Sequence, residues 1–147
     1  MVSVPKRSPQ APDPQQMIAD LKRIEELTDL SAEELMAMDD ARRKRIDREA
    51  GTIHKLIALQ LASIGQVNEE IRKRLYEICA NGTLIATAQK ACTTMQIPFG
   101  DFVLYSARQR TAPLDPEQEK KFQVAGMLSV HAQAHLFRQA LEGALQE

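Results

Sequence analysis

Hydrophobic positions recur every three or four residues over most of this chain, the period of a helix packed on one face. Met17, Leu21 and Ile24, joined by Ile18 and Leu27, predict a short amphipathic helix that Thr28 and Asp29 interrupt. Its start is written in Asp13, Pro14 and Gln16: an acceptor for the free N–H groups, a proline suited to the first helical position, and the far half of a capping box. Asp115, Pro116 and Gln118 repeat that grammar, and Ser31 with Glu34 forms a further box, with Leu30 and Leu35 placed for a hydrophobic staple. Helix starts are therefore predicted at residues 14, 32 and 116.

From residue 32 the pattern runs through Leu35, Met36, Ile46, Ile53, Ile57, Leu61, Ile64, Val67, Ile71, Leu75 and Ile78 to a stop at Asn81 and Gly82. Unbroken from 40 to 80 it would be a rod roughly 60 Å long at 1.5 Å per residue. Gly51 and Gly65 lie inside it, each costing about 1 kcal/mol in a helix interior relative to alanine. Two readings follow. The stretch Ser63–Asn68 around Gly65 could end one helix and start another, giving an antiparallel hairpin. Alternatively, heptad seams at Ala50, Ile57, Ile64, Ile71 and Ile78 and at Ile46, Ile53, Gln60, Val67 and Arg74 support the rod. Gln60 and Arg74 weaken the second seam, while Leu56 and Leu61 widen the apolar face toward that of a globular bundle.

Beyond Gly82, Leu84, Ile85, Ala88, Ala91, Cys92 and Met95 predict a helix over 83–95, stopped ahead of Pro98 because the residue before proline disfavours helical geometry. A short helix over Phe102–Arg110, capped by Asp101, is expected next. The last helix, about 116–146, is apolar on nearly every side between Phe122 and Leu145, so it must be surrounded, inside the bundle or in an interface.

Composition agrees with helices. Aromatics are 4% with no Trp, and 44% of the residues are apolar, mostly helix-favouring aliphatics, which argues against a β-sandwich or barrel. The fold class read from the chain is all-α: an elongated helical bundle with a long central helix or hairpin and a long apolar C-terminal helix. Four of the seven prolines fall within residues 1–14, beside Lys6 and Arg7, so residues 1–12 read as a disordered arm and 13–147 as one helical domain.

Net charge is -1, with 19 basic against 20 acidic residues, so no whole-molecule attraction selects a polyanion or a membrane. No stretch combines about 20 apolar residues without charge, so no membrane span is expected. Two cysteines and no leader-like start point to a reduced, cytoplasmic protein.

Three clusters are candidates for chemistry or binding. His131 and His135, four apart on one helical face, have a spacing that serves a metal ion, yet no glutamate base or upstream carboxylate accompanies them. They fit better in a polar strip with Arg138 and Glu142, and no cofactor is assigned. Arg42, Arg43, Lys44, Arg45 and Arg48 form a basic cluster able to hold phosphates. Seven acids with no intervening base precede it from Glu25 to Asp40, and the pairs Asp39–Arg43 and Asp40–Lys44 are spaced to occupy it. Phe99, Phe102 and Tyr105, half of the aromatics, precede Arg108 and Arg110; such residues anchor protein interfaces, although with Ile97 and Leu104 they also suit a plug at the bundle's end.

No glycine-rich phosphate loop, nucleophile elbow or paired-cysteine motif occurs, and nothing predicts an enzyme. The function expected is protein binding by a helical adaptor, chaperone or regulator that self-associates as a homo-oligomer. The alternative is a nucleic-acid-binding regulator using residues 42–48.

Overall fold

A computed structural model describes residues 13–107, 109 and 113–146. The expected arm at 1–12, and Arg108 and Arg110, lie outside the described residues. Among those described there are seven helices and no strand: α1 (Pro14–Leu27), α2 (Ala32–Ala37), α3 (Asp40–Val67), α4 (Glu69–Ala80), α5 (Thr83–Met95), α6 (Phe99–Ser106) and α7 (Pro116–Leu145). The protein is all-α.

The three helix starts fall where the caps place them. Asp13 accepts from the Gln15 N–H at 3.0 Å with Pro14 in the first turn, and Asp115 accepts from the Gln118 N–H at 2.8 Å. Ser31 and Glu34 form both halves of a capping box, at 3.0 and 3.1 Å. The box expected from Gln16 does not close, because its amide donates along the helix to Asp20.

The middle of the chain is broken twice, so there is no rod. Met38 turns extended, and the Asp39 carboxylate caps a new helix by accepting from the Arg42 N–H at 2.7 Å. The second break is at Asn68 and not at Gly65. Asn68 ends α3 in an extended conformation and its side chain accepts from the Ile71 N–H at 3.0 Å, so one residue closes one helix and opens the next. Gly65 stays helical and buried; a β-carbon there would lie 3.8 Å from the Arg72 β-carbon. The two helices thus fold back on each other, as the hairpin alternative requires. Gly82, at φ 68°, makes the sharper turn into α5. α6 begins at Phe99, three residues ahead of the expected start, because Pro98 itself serves as the N-cap.

Two cores share one helix. The first joins Met17, Leu21 and Ile24 of α1 to Ile57, Leu61 and Ile64 of α3, Ile71 of α4, and Ala134 and Leu141 of α7. The second joins Leu35, Ala91, Cys92, Met95 and Phe102 to Phe122, Val124, Ala125 and Met127, again from α7. The N-terminal half of α7 thus serves one core and its C-terminal half the other. All six other helices pack on it.

Candidate functional site

The geometry of the α3–α4 turn produces an open, largely apolar groove. As α4 runs back past the end of α3, Leu61, Ala62, Gly65 and Gln66 face Arg72, Leu75, Tyr76 and Cys79 across a groove of about 360 Å³. Large apolar side chains lie outward on the same two helices: Leu59 and Val67 are 73% exposed, Tyr76 is 71% exposed, and Leu56 is also exposed. Cys79 is an exposed free thiol in the groove. Cys92 is buried in the second core, where desolvation pushes its thiol pKa up.

A second groove, of about 420 Å³, opens nearer the start of α3 between Lys44, Asp47, Arg48, Gly51, Thr52, Lys55 and Gln123. Among the described residues none of its three cations is in an ion pair. Its single carboxylate, Asp47, is held above the ordinary carboxylate range by burial, which outweighs a long 3.5 Å hydrogen bond from the Gln123 amide.

The basic cluster of the sequence is therefore divided. Arg43 is 2% exposed: Nε donates to Gln123 Oε1 at 2.8 Å, Nη1 donates to the Met38 carbonyl at 2.9 Å, and Nη2 pairs with Asp40. It is a rivet between the α2–α3 junction and α7. The expected pairs Asp39–Arg43 and Asp40–Lys44 are replaced, since Asp39 caps α3 and Asp40 takes Arg43; that guanidinium holds the Asp40 carboxyl below its usual range. Arg42, Lys44, Arg45 and Arg48 are exposed, but Arg42, two residues from Lys44, does not share its face. Arg48 shares that face, as does Lys55, which lay outside the cluster read from the sequence.

The aromatic segment faces inward. Phe102 is buried, Phe99 and Tyr105 are half-buried, and all three pack in the second core, with the Tyr105 ring 5.2 Å from that of Phe122. Val103 and Leu104 are the outward apolar residues of α6.

His131 and His135 tie α7 to the end of α1. The Thr28 hydroxyl donates to the Ile24 carbonyl at 2.6 Å, which spends its single proton, so the 3.0 Å contact with His131 Nδ1 requires the ring to donate. His135 Nδ1 lies 2.8 Å from Glu25, whose carboxylate also pairs with Arg138, and Arg138 reaches Glu142 at 2.6 Å. Burial raises the Glu25 pKa, but the Arg138 and His135 hydrogen bonds outweigh it and hold the carboxyl below its usual range. His54 lies on α3, bonded to Gln133, with its pKa lowered by burial. Among the described residues no three His, Cys, Asp or Glu side chains converge as a metal site, and no helix is long and apolar enough to cross a membrane.

The strip of α7 was legible in its spacing, whereas its α1 partners Glu25 and Thr28 were not, being more than 100 residues away in the chain. Comparison with protein-family models, with curated proteins and with solved structures gives no match.

Proposed function

We propose that this chain is a protein-binding helical adaptor, chaperone or regulator whose working surface is the outer side of the α3–α4 hairpin. One observation carries the proposal: Tyr76, 71% exposed, stands in the wall of an apolar groove, and Leu59, 73% exposed, lies one helical turn from Ala62 of the same groove. Exposed apolar residues at an apolar groove are the usual mark of an interaction site. Self-association belongs to the same proposal, because such a surface also meets its own copy at high concentration. A cytoplasmic setting suits it, since both cysteines are free thiols.

The nucleic-acid alternative draws on the exposed Lys44, Arg48 and Lys55, but it loses Arg43 to the interior and keeps Asp47 among its cations. It ranks second.

Cys79 provides the test. A benzophenone maleimide attached there, with Cys92 shielded by burial, cross-links whatever protein seats in the groove of cell extract or, at high concentration, a second copy. The expected product disappears in Leu59→Asp. Failure to cross-link, together with a strict monomer by light scattering at high concentration, would overturn the proposal.

A further inference from the structure

The outward face of α3 is one continuous stripe. Lys44, Arg48, Gly51, Lys55, Leu59, Ala62 and Gln66 follow one another at spacings of four, three, four, four, three and four, so they stand above each other on a single side of the helix. The stripe is about 33 Å long at 1.5 Å per residue. Both grooves open onto it, the cationic one beside its first half and the apolar one beside its second. The stripe thus changes character halfway, from three positive charges without an ion pair among the described residues to Leu59, Ala62 and the apolar walls built by Leu61, Leu75 and Tyr76.

Resting on the protein-binding proposal above, we infer that the occupant of this face is an amphipathic helical segment of another protein, acidic over the half that faces Lys44, Arg48 and Lys55 and aliphatic over the half that faces Leu59 to Gln66. The heptad-like spacing of the stripe is the one a partner helix reads along its own seam. Gly51 leaves open space where a side chain would stand, with no atom within 4 Å of its β-carbon position, so a partner carboxylate can approach between Arg48 and Lys55.

Charge decides against the other occupants. A second copy laid parallel on the stripe opposes each cation to its own counterpart. Laid antiparallel over the full stripe, it sets Lys44 against Gln66, Arg48 against Ala62, and Lys55 against its own counterpart, so no cation meets a carboxylate. A copy can therefore use only the apolar half. A nucleic acid would satisfy the cationic half but leave Leu59 and the apolar groove uncovered. Only an acidic amphipathic segment answers both halves.

The test uses the full chain and a displayed library of 24-residue helical peptides randomised at the seven facing positions. Selected peptides are expected to carry Glu or Asp in one half and Leu, Ile, Met or Phe in the other. Their affinity, read by fluorescence anisotropy, should fall at least tenfold in the triple variant Lys44→Glu, Arg48→Glu, Lys55→Glu and separately in Leu59→Asp, with circular dichroism showing both folded. The triple variant should itself select Lys and Arg. The inference is overturned by a selection without acidic bias, by no binders at all, or by affinity within twofold on the triple variant. Tighter binding of a 20-nucleotide single-stranded DNA, blocked by the triple variant, overturns it in favour of nucleic acid; peptides that fail to dissociate a self-associated species overturn it in favour of a second copy. If Leu59→Asp still abolishes cross-linking from Cys79 while the peptides lack acidic bias, protein binding stands and only the identity of the partner falls.

Discussion

Replacing Arg43 by alanine separates a structural arginine from a ligand-binding one. Its side chain is 2% exposed and gives three hydrogen bonds, to Gln123, the Met38 carbonyl and Asp40. Truncation takes the donor from the Gln123 oxygen and the Met38 carbonyl, both half-buried, so each costs about 1 kcal/mol, the lower end of the roughly 1 to 3 kcal/mol for a buried acceptor left without a donor. Asp40 is exposed and returns to water, so it adds nothing to the sum. The expected loss is about 3 kcal/mol, from two stranded acceptors and the packing of the stem. For a chain of this size that lowers Tm by roughly 6 to 12 °C, taking about 2 to 4 °C per kcal/mol. Arg43→Met should lose nearly as much, since it restores volume but no donor. Arg42→Ala, two positions from Lys44 and exposed, should stay within about 0.5 kcal/mol. Urea unfolding followed by circular dichroism reads all three. Equal stability of the Arg43 and Arg42 variants would refute the rivet and return Arg43 to the surface cluster.

Further substitutions probe the same framework. Asp47→Asn should raise stability at neutral pH: burial lifts the folded-state pKa, so the carboxyl contributes stability only below its unfolded pKa and loses it as pH rises through the folded value. Melting curves from pH 3 to 8 should show the variant's advantage fade toward acid; an advantage independent of pH would exclude the desolvation cause. Gln60→Leu removes a buried amide oxygen that has no hydrogen-bond partner among the described residues, and a gain of about 1 kcal/mol in urea unfolding is expected; destabilisation would show that the amide is satisfied. Gln96 ends α5 at φ 57°, a left-handed conformation that penalises any side chain, so Gln96→Gly should gain up to about 1 kcal/mol. A loss there in thermal melts would mean that the Gln96 side chain itself holds the turn.

What the chain shows of its own fold follows from how local each signal is. Caps at Asp13, Ser31 and Asp115 involve residues two or three apart, and helices begin there. Asp39 and Asn68 are caps of the same kind, but each sits within an uninterrupted apolar pattern, and Gly65 drew the expected break because glycine is the stronger sequence signal. Gly65 instead provides a close approach to Arg72. The long-range features were hidden for a different reason. Nothing in the sequence near Arg43 reveals Gln123, 80 residues away, so a buried rivet resembles one more surface base. Phe102 is the reverse case, an apparent anchor that the second core absorbs. The α3 stripe was present as spacing, but Leu59 and Ala62 stand out only once the fold shows which side of α3 the core leaves uncovered.

The sharing of α7 between two cores determines where function can lie. The 30-residue α7, expected to be surrounded inside the bundle or in an interface, packs against the protein's own six other helices, so the proposed partner surface lies elsewhere. It is on α3, the next longest helix, whose inner face supplies Ala50, Ile57, Leu61 and Ile64 to the first core while its outer face carries the cationic and apolar halves of the stripe. The two faces meet at Gln123. Its oxygen accepts from Arg43 in the interior and its nitrogen reaches Asp47 at the edge of the cationic groove, so one α7 side chain sets both the rivet and the one negative charge among the groove's cations. Substitutions along the stripe at Lys44, Arg48, Lys55 and Leu59 should therefore change binding without changing stability, whereas changes at Gln123 or Arg43 alter the support of the stripe as well as the fold.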